Sequence, residues 1–320
     1  MKATLGAYVS AALFEDTGEA VFALGDGQVR WEAGAAASAH GGAVLCAVRH
    51  PGGGLLTGGD DGRLVWSRPG EVQPLAEAPG RWIESLAAAP ASGLIAWAAG
   101  REARVRDLKD PSFERVFAHE RSVADLAFDA KGRRLAAATY GGAALWYARI
   151  ADQKPVMLRW AGSHVAVAFS SDGRFLISSM QENALHGWRL SDSRDMRMGG
   201  YPTKVRSLAF IDGGRMLATS GAGGVVLWPF SGPDGPMGKQ AAEIGFEEGA
   251  FVARVATETA GALIAAGMSD GRVRLFDVRS DKVHALKAEK GPPISALALK
   301  GRRVAWGDEE GGAGVAEAPG

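Results

Sequence analysis

The sequence has one cysteine, no apolar run of membrane-spanning length and no excess of either charge, since 36 Lys and Arg residues balance 36 Asp and Glu. A lone Cys46 excludes a disulfide within the chain, and its place between Leu45 and Ala47 predicts burial as a small hydrophobe. Without a long apolar run there is no candidate membrane helix. Balanced charge leaves no net field to draw the chain to nucleic acid or an anionic membrane, and neither is expected as a partner. The six histidines, His40, His50, His119, His164, His186 and His284, show no pair at metal-site spacing. No metal and no cofactor are therefore expected. The N-terminal residues meet Glu15 and Asp16 too early for a secretory apolar core and read as strand, which makes a cytoplasmic location the expectation.

Catalytic signatures are also missing. The turn Asp16 to Glu19 resembles those of quinone-dependent dehydrogenase propellers, but it occurs once, where a hairpin turn is needed anyway. Gly58 to Gly62 is not followed by a helix whose N-terminus would hold a phosphate, and no Lys is placed to reach one. No Gly-flanked Ser occupies a strand-to-helix turn, so there is no nucleophile elbow.

What the chain does have is a repeat of about forty residues. Trp31, Trp66, Trp146, Trp188, Trp228 and Phe276 each close a short apolar run behind a Gly-rich turn, and a further copy, Trp82 to Asp107, carries Arg106 at the aromatic position. Inner strands are expected from Val9, Val44, Ile83, Val123, His164, Val205, Val252 and Ile294, which numbers the units one to eight. Short strands bounded by Gly, Asp and Ser at this spacing are hairpin-connected and antiparallel. The 45 glycines supply the turns. A single all-β domain over residues 1–320 follows, since no composition shift marks a linker and Ser231 to Gly238 reads as an enlarged loop within unit six. Unit eight has three strands of its own, so residues 2–6 are expected to supply its fourth and close the ring.

These residues resemble the WD-repeat β-propeller family over nearly the whole chain. The marks are His119 four residues ahead of Val123, His40 similarly ahead of Val44, Asp60 to Gly62 before Leu64 to Trp66, and the run Ser269 to Asp277 containing Asp270. The resemblance implies a propeller of four-stranded antiparallel blades, eight-bladed by the count of units, and, in unit two, a buried hydrogen-bonded group of His40, Thr57, Asp60 or Asp61, and Trp66. Other units depart from that pattern: Trp97 and Trp306 stand where a small hydroxyl residue is expected. Alanine, glycine and arginine are abundant, a compositional pointer to a bacterial source of high GC content.

In such propellers partners dock on the face formed by the inner-strand entrances and the second turn of each unit. By position this gives Tyr8, Trp82, Lys204 and Phe251 ahead of inner strands, Glu84 and Arg206 just inside them, and Arg101 and Tyr140 in second turns. Aromatic and Arg residues on a shared rim are the types that anchor interfaces. The opposite face carries two basic turns, Lys131 to Arg134 and Lys300 to Arg303, whose simpler reading is solvated hairpin ends. The function expected is a non-enzymatic scaffold holding a protein or peptide. The alternative is a propeller-type hydrolase or lactonase with its site at the central channel.

Overall fold

The computed structural model describes residues 1–280 and 282–319 and is built almost wholly of antiparallel strands. Inner strands begin at Val9, Val44, Ile83, Val123, Val252 and Ile294, and His164 opens the pairing of unit five. Unit six differs. Its inner strand, Leu208–Ile211, starts late because the N–H groups of Arg206 and Ser207 donate to Ser220 Oγ (3.0 and 3.1 Å) instead of to the ladder.

The strands among the described residues form seven hydrogen-bonded sheets, six of four strands and one of six. Counted as sheets, the blades number seven, which corrects the expected eight separate four-stranded blades. The cause lies at units four and five. Strand Val156–Phe169 runs unbroken from pairing with Gly142–Leu145 into pairing with Leu176–Met180, and Tyr140 pairs with Ser163 at the bend. The strand passes this bend although Gly162 lies in it, whereas at most other junctions between an outer strand and the next inner strand the Gly or Pro residues, as at Gly199 to Pro202 and Gly291 to Pro293, coincide with the end of the ladder.

Inner strands carry a repeated irregularity. In seven of them the register shifts between the first and third residue, as at Val9/Ala11, Ile83/Ser85 and Val252/Arg254. The bulge leaves the second residue, such as the exposed Glu84, without a cross-strand partner, because Ile83 pairs with Ala99 and Ser85 with Ala98. Opposite the third residue the second strand keeps a small side chain: Ala23, Gly58, Ala98, Ala138, Ser179, Gly267 and Gly307. At Gly58, Gly267 and Gly307 an added Cβ would strike Ile83, Ile294 and Val9, the first residue of the next inner strand. Neighbouring sheets therefore approach closely at this level, and the aliphatic first residues are buried there.

Side chains tie adjacent inner strands. Cys46 Sγ donates to Ile83 O (3.3 Å), Ser207 Oγ to Val255 O (3.1 Å), Arg254 Nε to Ser295 O (2.8 Å) and Ser295 Oγ to Val9 O (2.7 Å). The last contact joins the two ends of the chain. So does the segment Lys2–Thr4, which pairs with Gly312–Gly314, with Met1 and Leu5 extending the ladder to Val315 and Gly311.

Candidate loop-face site

Second turns and inner-strand entrances share one face, because the backbone binds one to the other. Gly25 N donates to Tyr8 O, Val123 N to Gly100 O, Val252 N to Ala222 O and Ser269 N to Phe251 O, all at 2.7–2.9 Å. Tyr8 and Phe251 accept such bonds through their own carbonyls, and Tyr140 is held by its pairing with Ser163. Trp82 is 61% exposed, Tyr140 66%, Tyr8 42% and Phe251 39%. Glu84, Arg101, Lys204 and Arg206 are exposed as well.

The structure does not gather all eight into one hollow. Lys204, Arg206 and Phe251 line a cleft of about 480 Å³ with Asn183, Ser269 and Glu309. Tyr140 lines a separate cleft of about 300 Å³ with Arg121, Met157 and Arg159. Charge among the inner strands is divided. Asp125 and Glu84 lie near Cys46, where burial first, and these carboxylates second, hold the thiol far above its usual range. Burial raises Asp125 itself to about 6. On the strand Val252–Thr257, the pKa of Arg254 is lowered first by burial and then by Arg206, with Tyr8 and Glu309 opposing. A protonated thiol is a poor nucleophile, and both Asp125 oxygens are engaged by Ser85 and Val167.

The groups expected to be structural are placed as follows. His40 Nδ1 meets Asp61 Oδ1 and His40 Nε2 meets Thr57 Oγ1, each at 2.9 Å, and Asp61 also accepts the N–H groups of Gly41 and Arg63. These bonds to the ionised form hold Asp61 below the usual carboxylate range although burial opposes them. Trp66 does not join the group. Its indole donates to Gly53 O at 2.8 Å and its ring stacks on His50, centroids 3.9 Å apart. His119 instead accepts the indole of Trp146 at 3.0 Å. Asp270 pairs with Arg272 and, more distantly, Lys290. The basic turn at Lys300 is internally committed, with Lys300 donating to Glu15 O and Asp16 O and Arg303 pairing with Glu32.

Sequence reasoning missed Tyr201, Asp125, Arg254 and Phe246. Tyr201 stands four residues ahead of Val205, the spacing of His40 and His119, and takes the histidine's part: Trp228 Nε1 donates to its hydroxyl and the hydroxyl meets Thr219 Oγ1, both at 2.7 Å. That spacing was a usable signal. The exposed Phe246, 67% accessible, stands against Gly223 and gives no such periodic sign.

No family model matches the chain. It is similar to WD repeat-containing protein 55 of Rattus norvegicus, 24% identical over 201 residues, and of Homo sapiens, 25% identical over 203 residues. Each match covers 60% of this chain and 51% of the relative, so the chain spans about half the length of the curated relatives it matches. The crystal structure of the computationally designed Ika8 protein aligns with a TM-score of 0.78 over 98% of both chains at 16% identity, a likeness of fold. The weak sequence similarity and the four-stranded antiparallel sheets together support a WD-repeat propeller.

Proposed function

We propose that this chain is a non-enzymatic scaffold that holds protein partners on the face formed by its inner-strand entrances and second turns. The observation that carries the reading is the set of large aromatic rings left exposed there, Tyr8, Trp82, Tyr140 and Phe251, each within a strand or one residue ahead of one. Exposed aromatics on a rigid frame lose little conformational entropy on binding, and a ring of rigid strands presents them without rearrangement. The WD-repeat relatives support the same class of role by similarity alone. The carboxylate of Asp125 is accounted for as a tie between strands, and Cys46 as a half-buried thiol bonded to Ile83 O, which leaves the scaffold the better-supported reading over an enzyme.

The test is affinity capture from the native lysate with wild type and with a Trp82→Ala/Tyr140→Ala variant, followed by mass spectrometry. A partner retained by wild type and lost by the folded variant is the expected result. Retention of the same proteins by both would refute the use of this face.

A further inference from the structure

We propose that the cleft at Lys204, Arg206 and Phe251 docks an acidic segment of a protein partner, with carboxylate side chains on the two cations and an apolar side chain against the Phe251 ring. This inference rests on the loop-face reading and gives the chemistry of its partner.

Charge is the first argument. Most arginines of this neutral chain are neutralised in place: Arg272 and Arg274 by Glu247, Arg104 by Glu102 and Glu114, Arg189 by Asp192 and Asp234. Lys204 and Arg206 are exposed in the same cleft, and among the described residues neither has a carboxylate within ion-pair distance. Beneath them the inner strand that lines the cleft with Val252 and Ala253 continues into Arg254. The Arg254 guanidinium donates to two backbone carbonyls, Ser295 O at 2.8 Å and Ala253 O at 3.1 Å, and has no carboxylate partner among the described residues. A desolvated cation without a counter-charge is costly, and an arriving carboxylate reduces that cost.

Shape and surroundings decide among anions. A cleft of about 480 Å³ takes a few side chains of an extended segment. Phe251 adds an apolar wall, and the N–H of Phe251 is already bound to Ser269 Oγ at 2.9 Å, which steadies that wall. Glu309 lines the same cleft and interrupts the positive field. A continuous polyanion would meet it, whereas a short peptide can place its carboxylates on one side. No basic stripe of the kind nucleic acid needs leads away from the site, since the chain's other second turns carry Asp60, Glu102, Glu182 and Asp270.

The experiment is selection of a phage-displayed library of random dodecapeptides on the intact protein, wild type against Lys204→Glu/Arg206→Glu. Both positions are exposed, and an unchanged melting temperature checks that the variant folds. Wild type is expected to enrich peptides dense in Asp and Glu with a flanking apolar residue. A fluorescein-labelled synthetic copy should bind the double variant about tenfold or more weakly, as should its Asn/Gln counterpart with wild type. Enriched peptides without acidic bias, or binding indifferent to the double variant, would overturn the inference. If binding survives the double variant but is lost in Trp82→Ala, the scaffold reading stands and this cleft is excluded. If no peptide is enriched, the acidic-segment inference fails, while the scaffold reading stands or falls on the lysate capture. Displacement of the acidic peptide by a single-stranded DNA oligonucleotide at comparable concentration would replace the peptide with a polyanion and also overturn the proposal.

Discussion

Asp125 Oδ2 accepts the backbone N–H of Val167 at 2.8 Å, while its Oδ1 accepts the hydroxyl of Ser85 at 3.1 Å. One side chain thus spans the inner strands of units three, four and five, at the place where two units share a six-stranded sheet. Burial raises its pKa from 3.8 to about 6. For an acid raised in the fold, the native state holds the proton more tightly than the unfolded chain between those two values. Stability from this group is therefore full below 3.8 and declines as pH rises through 6. Asp125→Asn accepts the Val167 N–H through its oxygen and turns the second contact around, its amide donating to the Ser85 hydroxyl; without the charge it should gain about 1–2 kcal/mol at pH 8, whereas Asp125→Ala should lose a similar amount. Denaturant unfolding at pH 5 and pH 8 checks both. Equal losses for the two variants at pH 8 would show that the charge itself is needed.

Two histidines act in the opposite sense. His50, stacked on Trp66, and His186, stacked on Trp160, are both lowered from 6.5 to about 4, chiefly by burial. Neither ring nitrogen of His186 has a hydrogen bond; Asp195 Oδ2 lies 3.4 Å from Nε2, near enough for attraction but not aligned to accept. The fold keeps these rings neutral while the unfolded chain takes up protons below 6.5, so stability is lost as pH falls from 6.5 toward 4. His186→Phe retains the stacking and should remove roughly 1–3 kcal/mol of that acid loss with little change at pH 7. An identical acid profile for wild type and variant would contradict the assignment.

Close approach of adjacent sheets makes a sharp demand on one glycine. A Cβ at Gly307 would meet the buried side chain of Val9, and Gly307→Ala should cost about 1–3 kcal/mol. At Gly199 an added Cβ meets nothing within 4 Å, and Gly199→Ala should change stability by under about 0.5 kcal/mol. Matched melting curves for the two variants would mean the sheets can separate at this level.

The unit-two group predicts a coupling pattern. His40→Ala removes one hydrogen-bond partner from each of Thr57 and Asp61 and should cost about 1–3 kcal/mol. Trp66→Phe loses only the bond to Gly53 while its ring can still stack on His50. The two changes should add to within about 0.5 kcal/mol in a double-mutant cycle. A coupling well above that would bring Trp66 into the group after all.

These residues also show what the sequence could and could not carry. Val9, Val44, Ile83, Val123, Val252 and Ile294 were legible as strand starts because a buried β-branched residue behind a turn signals an inner strand directly. The joining of units four and five was not. It depends on the strand continuing through Trp160 to Ser163 although Gly162, with φ +119°, is the residue type that ends the ladder at other junctions. Trp66 sits in the repeat where a structural tryptophan is expected, yet its direction is set by His50, a partner outside the repeated pattern. Of the eight loop-face candidates, position alone found exposed residues, but only the folded chain shows that Lys204, Arg206 and Phe251 line one cleft while Tyr140 lines another. Arg254 escaped notice because its significance is the absence of a carboxylate, which sequence does not display.

The most direct measurement of the scaffold account is calorimetric titration of a captured partner into wild type and Trp82→Ala, with thermal unfolding of each. Trp82 is 61% exposed on the loop face, so its truncation should weaken binding by roughly 1–3 kcal/mol and leave the melting temperature within about 2 °C. Unchanged affinity in the folded variant would contradict the account.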